Sequence, residues 1–155
     1  MRVIIFGANG LLGKALKDII PGAWEYTRQT YDLGTGDPST LPRCDFAFLC
    51  AGTKGFAECE GNRKAFLADV DGNIRLARQL LKDGAFVVFV STDAVETLLN
   101  TAYARNRWAV EMALSGLKKA AIFRPGKFTK ENVAEAAKVC ASIGLNQVEG
   151  LTRWP

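Results

Sequence analysis

The stretch from Arg2 to Gly13 constrains this chain more than any other. A short β-branched apolar run, Arg2 to Phe6, breaks on the glycine cluster GANGLLG and gives way to an amphipathic segment carrying Leu12, Ala15, Leu16, Ile19 and Ile20. That is strand, turn, helix. The spacing of Gly7, Gly10 and Gly13 has a physical reason at each position. Gly7 can make the tight turn, Gly10 lets the backbone come close to a pyrophosphate, and Gly13 lets the helix pack onto the sheet. The N–H groups that open the helix then face the phosphates. A tight strand-to-helix connection without a ligand is the alternative reading.

The rest of the chain repeats the alternation. Trp24 to Thr27 reads as a second short strand, Asp45 to Cys50 (DFAFLC) as a buried one, and Phe86 to Val90 (FVVFV) as a central parallel strand covered on both faces. Ala120 to Phe123 adds another, and Gln147 to Leu151 could close the set. Between them, Phe66, Val70, Ile74, Ala77 and Leu81 fall on one face of a long helix, and Tyr103, Arg107, Val110 and Leu114 on one side of the next. A last helix is expected from about Lys130 to Ser142, with Val133, Ala137 and Cys140 inward. The pattern predicts an α/β fold with a doubly wound parallel sheet, the Rossmann NAD(P)-binding arrangement. It is expected as a single minimal domain over residues 1–155. One strand of the six-strand version does not fit. Only Arg28, Gln29 and Thr30 separate Trp24–Thr27 from Tyr31–Leu33, whereas a parallel crossover needs roughly a dozen residues. The third strand is therefore expected to be vestigial or absent.

Composition narrows the partners. The formal charge of +4 comes from Lys and Arg scattered among Asp and Glu, which argues against nucleic acid and suits a small anionic ligand. The four cysteines, Cys44, Cys50, Cys59 and Cys140, form no CxxC pair, and the sequence has no His. They make a poor metal site and read as reduced thiols. Val3 to Phe6 is too short for a signal peptide and no segment approaches membrane-spanning length, so the expected location is the cytoplasm, with no membrane partner.

Dinucleotide folds often carry an acid near the end of the second strand to hold the adenosine ribose. Here Arg28 takes that place. A guanidinium pairs with a 2′-phosphate, which favours NADP, with NAD still possible. The alternative is a solvated surface arginine.

Four patches, in order, resemble the extended short-chain dehydrogenase/reductase family in its dTDP-4-dehydrorhamnose reductase-like, sugar-nucleotide branch. They are MRVIIFGANGLLGKAL, CAG at Cys50 to Gly52, FVVFVSTDAV at Phe86 to Val95, and YARNRWAVE followed by IFRPG at Ile122 to Gly126. The resemblance implies a cofactor site built from Gly7, Asn9, Gly10, Leu11, Leu12, Gly13, Ala51 and Gly52, with Arg28 and Arg107 completing it. It also implies that Thr92 orients the substrate oxygen and that Tyr103 donates or accepts its proton, with Ser91 substituting or assisting. A phenol, with an ordinary pKa near ~10, needs a nearby cation to work at neutral pH.

The chain departs from the family in three ways. The family's Lys four residues after the Tyr is Arg107, which supplies charge and ribose hydrogen bonds but does not release a proton. The Asn of the long helix is Asp69, in DVDGN, which puts the water-mediated proton relay in doubt. The substrate lobe is missing, and EGLTRW near the end resembles the family's closing strand, so the chain reads as internally shortened. Three functions follow. The first is an NAD(P)-dependent reductase or epimerase acting on a nucleotide-sugar or small carbonyl compound. The second is a dinucleotide-binding module without hydride transfer, in which Tyr103 is a core aromatic. The third is a partner subunit, with Trp108 available for a homodimer contact.

Overall fold

The computed structural model describes residues 1–145. The strands are β1 (Val3–Phe6), β2 (Trp24–Tyr26), β3 (Phe46–Leu49), β4 (Phe86–Val90) and β5 (Ala120–Phe123). All pair in parallel, in the order β2-β1-β3-β4-β5. The helices are α1 (Leu11–Ile19), α2 (Arg63–Phe66), α3 (Asn73–Lys82), α4 (Ala94–Thr97), α5 (Ala102–Leu114) and α6 (Val133–Leu145). Tyr31 to Leu33 pairs with nothing in the sheet, as the three-residue spacer dictates. The expected strand at Gln147–Leu151 lies outside the described residues.

The unbroken apolar runs VIIF, FAFL and FVVFV are buried almost throughout because both faces of the sheet are covered. Alternate residues feed two cores. Ile4, Phe6, Ala47, Leu49, Val87 and Phe89 meet Leu76 and Leu80 of α3 and Val110 and Leu114 of α5. Val3, Ile5, Phe46, Phe48, Val88 and Val90 meet Leu12 and Leu16 of α1 and Ala137 and Cys140 of α6. The two edge strands differ: β2 exposes Trp24 and Glu25, and β5 is half-buried along its length.

Two periodicity readings need correction. Ile19 is exposed because α1 ends there, and Ile20 turns inward instead. Phe66 is exposed as well. Between α2 and α3 the chain makes a π-helical turn over Leu67–Gly72. A π turn holds more residues per turn than an α-helix, so the inward face slips in phase. The buried positions there are Ala65, Asp69, Val70, Gly72, Asn73, Leu76, Ala77 and Leu80, with Ile74 and Leu81 only partly covered. Gly72 is required in this turn, since a Cβ would collide with the Leu33 carbonyl oxygen.

Candidate active site at the carboxyl ends of the strands

The strand order reverses between β1 and β3, and ligands in open α/β sheets bind in the crevice outside such a switch point. Gly7 leaves β1 with φ +82°, and a Cβ on it would stand 2.7 Å from the Ala51 nitrogen, just beyond β3. Its N–H and that of Ala8 donate to the Tyr26 carbonyl at 2.8 and 3.2 Å, tying the turn to the end of β2. Gly10 is the N-cap of α1 and brings no side-chain cap, so the first N–H groups of the helix, from Leu11 onward, have no intrahelical partner. A Cβ on Gly13 would run into the Gly7 carbonyl oxygen. Asn9 and Leu11 are exposed at the mouth of this cradle, and Leu12 is buried beneath it. The glycine spacing read from the sequence thus matches a steric demand at Gly7 and at Gly13.

Arg28 lies two residues past β2, with its side chain 90% exposed and its Nε 3.4 Å from Asp32 Oδ2. That exposure leaves the guanidinium accessible to a ligand.

On the other flank, Tyr103 and Arg107 lie one helical turn apart on α5. The Arg107 guanidinium lies 5.7 Å from the centre of the Tyr103 ring and 5.7 Å from that of Phe89. Its Nη1 donates to the Val90 carbonyl at 3.2 Å. Its Nη2 takes the space a Cβ on Gly52 would fill, which explains why the residue after Ala51 is glycine. Arg107 therefore bridges the ends of β3 and β4.

Ser91 and Thr92 follow β4 directly, and both are buried. The Thr92 hydroxyl accepts the Ala94 N–H at 3.2 Å and lies 3.4 Å from Asp93 Oδ1, so it serves the turn into α4. The Ser91 Oγ has no hydrogen-bond partner among the described residues. Of the two hydroxyls expected to touch substrate, Ser91 carries the unused one.

Several contributors escaped the sequence reading. Phe56 meets the Tyr103 ring edge-on at 5.2 Å. Glu60 accepts the Ala102 N–H at 2.6 Å, fixing the start of α5. Asp69, read only as a departure, is a brace: Oδ1 accepts the Thr53 N–H at 2.8 Å and Oδ2 faces Cys59 Sγ at 3.9 Å. The opposite end of α5 is held by Glu111, fully buried, which takes the Arg124 Nε on both oxygens at 3.0 and 3.1 Å. Arg124 also reaches Glu96 on α4 at 3.1 Å. The carboxylate of Glu111 raises the Arg124 pKa. A charged residue closing the apolar strand AAIF was the available signal for this pair.

Burial disfavours the thiolate form of all four cysteines. Burial pushes Cys44 up to about 11, and pushes Cys50 up to about 12 although the Arg107 charge opposes it. Cys59 and Cys140 are raised for the same reason. All four are free cysteines.

No protein-family profile and no curated protein matches the sequence. Solved structures do. The dTDP-4-dehydrorhamnose reductase of Bacillus anthracis, in complex with NADP, aligns with a TM-score of 0.70 at 23% identity over 81% of this chain and 53% of its own. That of Clostridium acetobutylicum aligns with a TM-score of 0.78 at 19% identity over 97% of this chain and 72% of its own. The chain has the fold of these reductases. A short-chain dehydrogenase/reductase superfamily protein from Agrobacterium tumefaciens with bound NAD shares it too, with a TM-score of 0.65 at 16% identity over 80% of this chain and 48% of its own. The chain spans about half the length of the Bacillus anthracis and Agrobacterium proteins. Among the described residues, no helix is long and apolar enough to cross a membrane.

Proposed function

We propose that this chain is an NADP(H)-dependent reductase acting on a carbonyl compound of the nucleotide-sugar class. The observation that carries the reading is the joining of two halves in one crevice: a glycine cradle with an uncapped helix N-terminus, and the Tyr103–Arg107 pair at the ends of β3 and β4. Side chains at Gly7 or Gly13 would collide with the chain's own backbone, so these glycines keep the tight turn that presents the helix N-terminus to a pyrophosphate. The NADP held by the Bacillus anthracis reductase supports the choice of cofactor, and the exposed Arg28 suits a 2′-phosphate. When bound, NADPH would supply the hydride. Tyr103 would then deliver the proton to the carbonyl oxygen as charge builds there. Ser91 would hold that oxygen, with Thr92 fixing the turn beside it, and Arg107 would provide a fixed positive charge beside the phenol.

Two observations favour a second reading. The Thr92 hydroxyl is spent on the α4 turn, and an arginine at position 107 does not relay protons; both suit a dinucleotide-binding module that does no chemistry. The exposed Trp108 and Met112 on α5 suit a homodimer contact in either case, and a cytoplasmic location agrees with the free thiols.

NADPH oxidation across nucleotide 4-ketosugars, read by absorbance, separates the two. Turnover that Tyr103→Phe abolishes is the expected result. Tight NADPH binding with no turnover on any of them, restored by Arg107→Lys together with Asp69→Asn, would favour the module.

A further inference from the structure

The Arg107 guanidinium is a buried cation that makes no ion pair among the described residues. The residue is 7% exposed. Of its five N–H donors, one meets the Val90 carbonyl, and its flat surface lies against the Phe89 and Tyr103 rings. A charge withdrawn from water needs a partner to offset a desolvation penalty of several kcal/mol. A single backbone carbonyl does little of that.

The two buried acids among the described residues, Asp69 and Glu111, are both engaged elsewhere. Asp69 turns its oxygens to Thr53 and Cys59 and makes no ion pair with Arg107. Glu111 is taken by Arg124. The guanidinium nonetheless reaches to Gly52, beside the Ala51 that closes on Gly7, with the Tyr103 phenol one helical turn before it. It is a positive fork standing at the crevice.

We propose that Arg107 is an oxyanion receptor, and that the substrate of this crevice carries a carboxylate or phosphate group close to the carbonyl it presents to Tyr103. The proposal rests on the reading of the crevice as a substrate site and adds a charge requirement to it. A planar guanidinium grips two oxygens of such a group at once, whereas a lysine here would offer a single point of charge.

The test titrates oxalate and inorganic phosphate into ¹⁵N-labelled wild-type protein, with and without excess NADP⁺, and follows the Arg107 Nε–H resonance. NADP⁺ binding is read separately by calorimetry, so failure of the dinucleotide reading shows in a different signal. The expected result is a saturable shift with at least one anion, retained in the presence of NADP⁺. Binding should weaken about tenfold in Arg107→Lys and be lost in Arg107→Gln. The anion that binds more tightly distinguishes a carboxylate from a phosphate. A resonance that stays in place with both anions at ~20 mM, weaker than any specific site of this kind, overturns the proposal. Binding left intact by Arg107→Gln overturns it also, and so does displacement of both anions by NADP⁺, which assigns the guanidinium to the cofactor. The wild-type resonance decides the matter even where a variant fails to fold.

Discussion

Single residues at the crevice carry distinct physical loads, and the glycines separate them best. Gly7 and Gly84 both hold positive φ, +82° and +94°, but only Gly7 has backbone within reach of a Cβ. Gly84→Ala adds conformational strain alone, about 1 kcal/mol. Gly7→Ala adds the same strain and a collision with the Ala51 nitrogen, and is expected to cost at least ~2 kcal/mol more. Urea denaturation of the two variants reads the difference directly. At the adenosine end the expectation is the reverse, a change in binding without a change in stability. Arg28 is 90% exposed, so Arg28→Ala should leave the unfolding midpoint in place while weakening NADPH about tenfold and NADH hardly at all. Equal weakening of both would remove Arg28 from the 2′-phosphate.

At the scale of elements, the Glu111–Arg124 pair clamps α5 to the end of β5 and so holds the helix that carries Tyr103 and Arg107. The two partners are not equivalent. Glu111 is fully buried, while the Arg124 side chain is 39% exposed. Arg124→Ala strands a carboxylate without water and should cost about 3–5 kcal/mol. Glu111→Gln leaves a cation that can reach solvent and Glu96, and should cost less than half as much. Guanidinium denaturation curves that rank the two variants the other way would contradict the burial argument.

Elements also mark how far the sequence could be read. Runs without a polar residue, such as FVVFV, could only be covered strands, and the three-residue spacer before Tyr31 ruled out a parallel crossover. Both held. The face of α2 and α3 was misplaced at Phe66 because a π turn changes the period without leaving a mark in composition. The glycine cradle was legible because its constraints are local. The pairing of Asp69 with Thr53 and the loss of the Thr92 hydroxyl to Ala94 were not, since they depend on side-chain directions that spacing does not encode.

For the whole molecule, the buried thiols set a limit on alkaline stability. Folding raises the pKa of Cys44, Cys50 and Cys140 above the ordinary thiol value of ~8.5 through loss of hydration. Below that value both states hold these protons and the contribution is fully present. Above it the unfolded chain releases protons that the folded chain keeps, so unfolding becomes easier until the folded thiols also titrate. Stability should be insensitive to these groups through neutral pH. It should then fall from about pH 9 toward 11–12 by up to ~1.4 kcal/mol per unit for each raised thiol. Urea midpoints measured across that range check the sign, and Cys140→Ala should make the decline shallower.

The account as a whole depends on the crevice between β1 and β3 taking a dinucleotide. Gly10 offers the cleanest control, because its φ of −73° and ψ of 168° suit any residue and a Cβ there would meet only the Gly7 carbonyl oxygen, at 3.3 Å, a tight contact relieved by a shift of a few tenths of an ångström. Gly10→Val should therefore fold and yet fill the space needed by the pyrophosphate. The deciding measurement is calorimetric titration of NADPH into the wild-type chain and into this variant. One-to-one binding in the wild type, weakened at least about tenfold in folded Gly10→Val, is the predicted result. The absence of binding heat with NADPH, NADP⁺, NADH and NAD⁺ alike, or equal affinity in the variant, would contradict it.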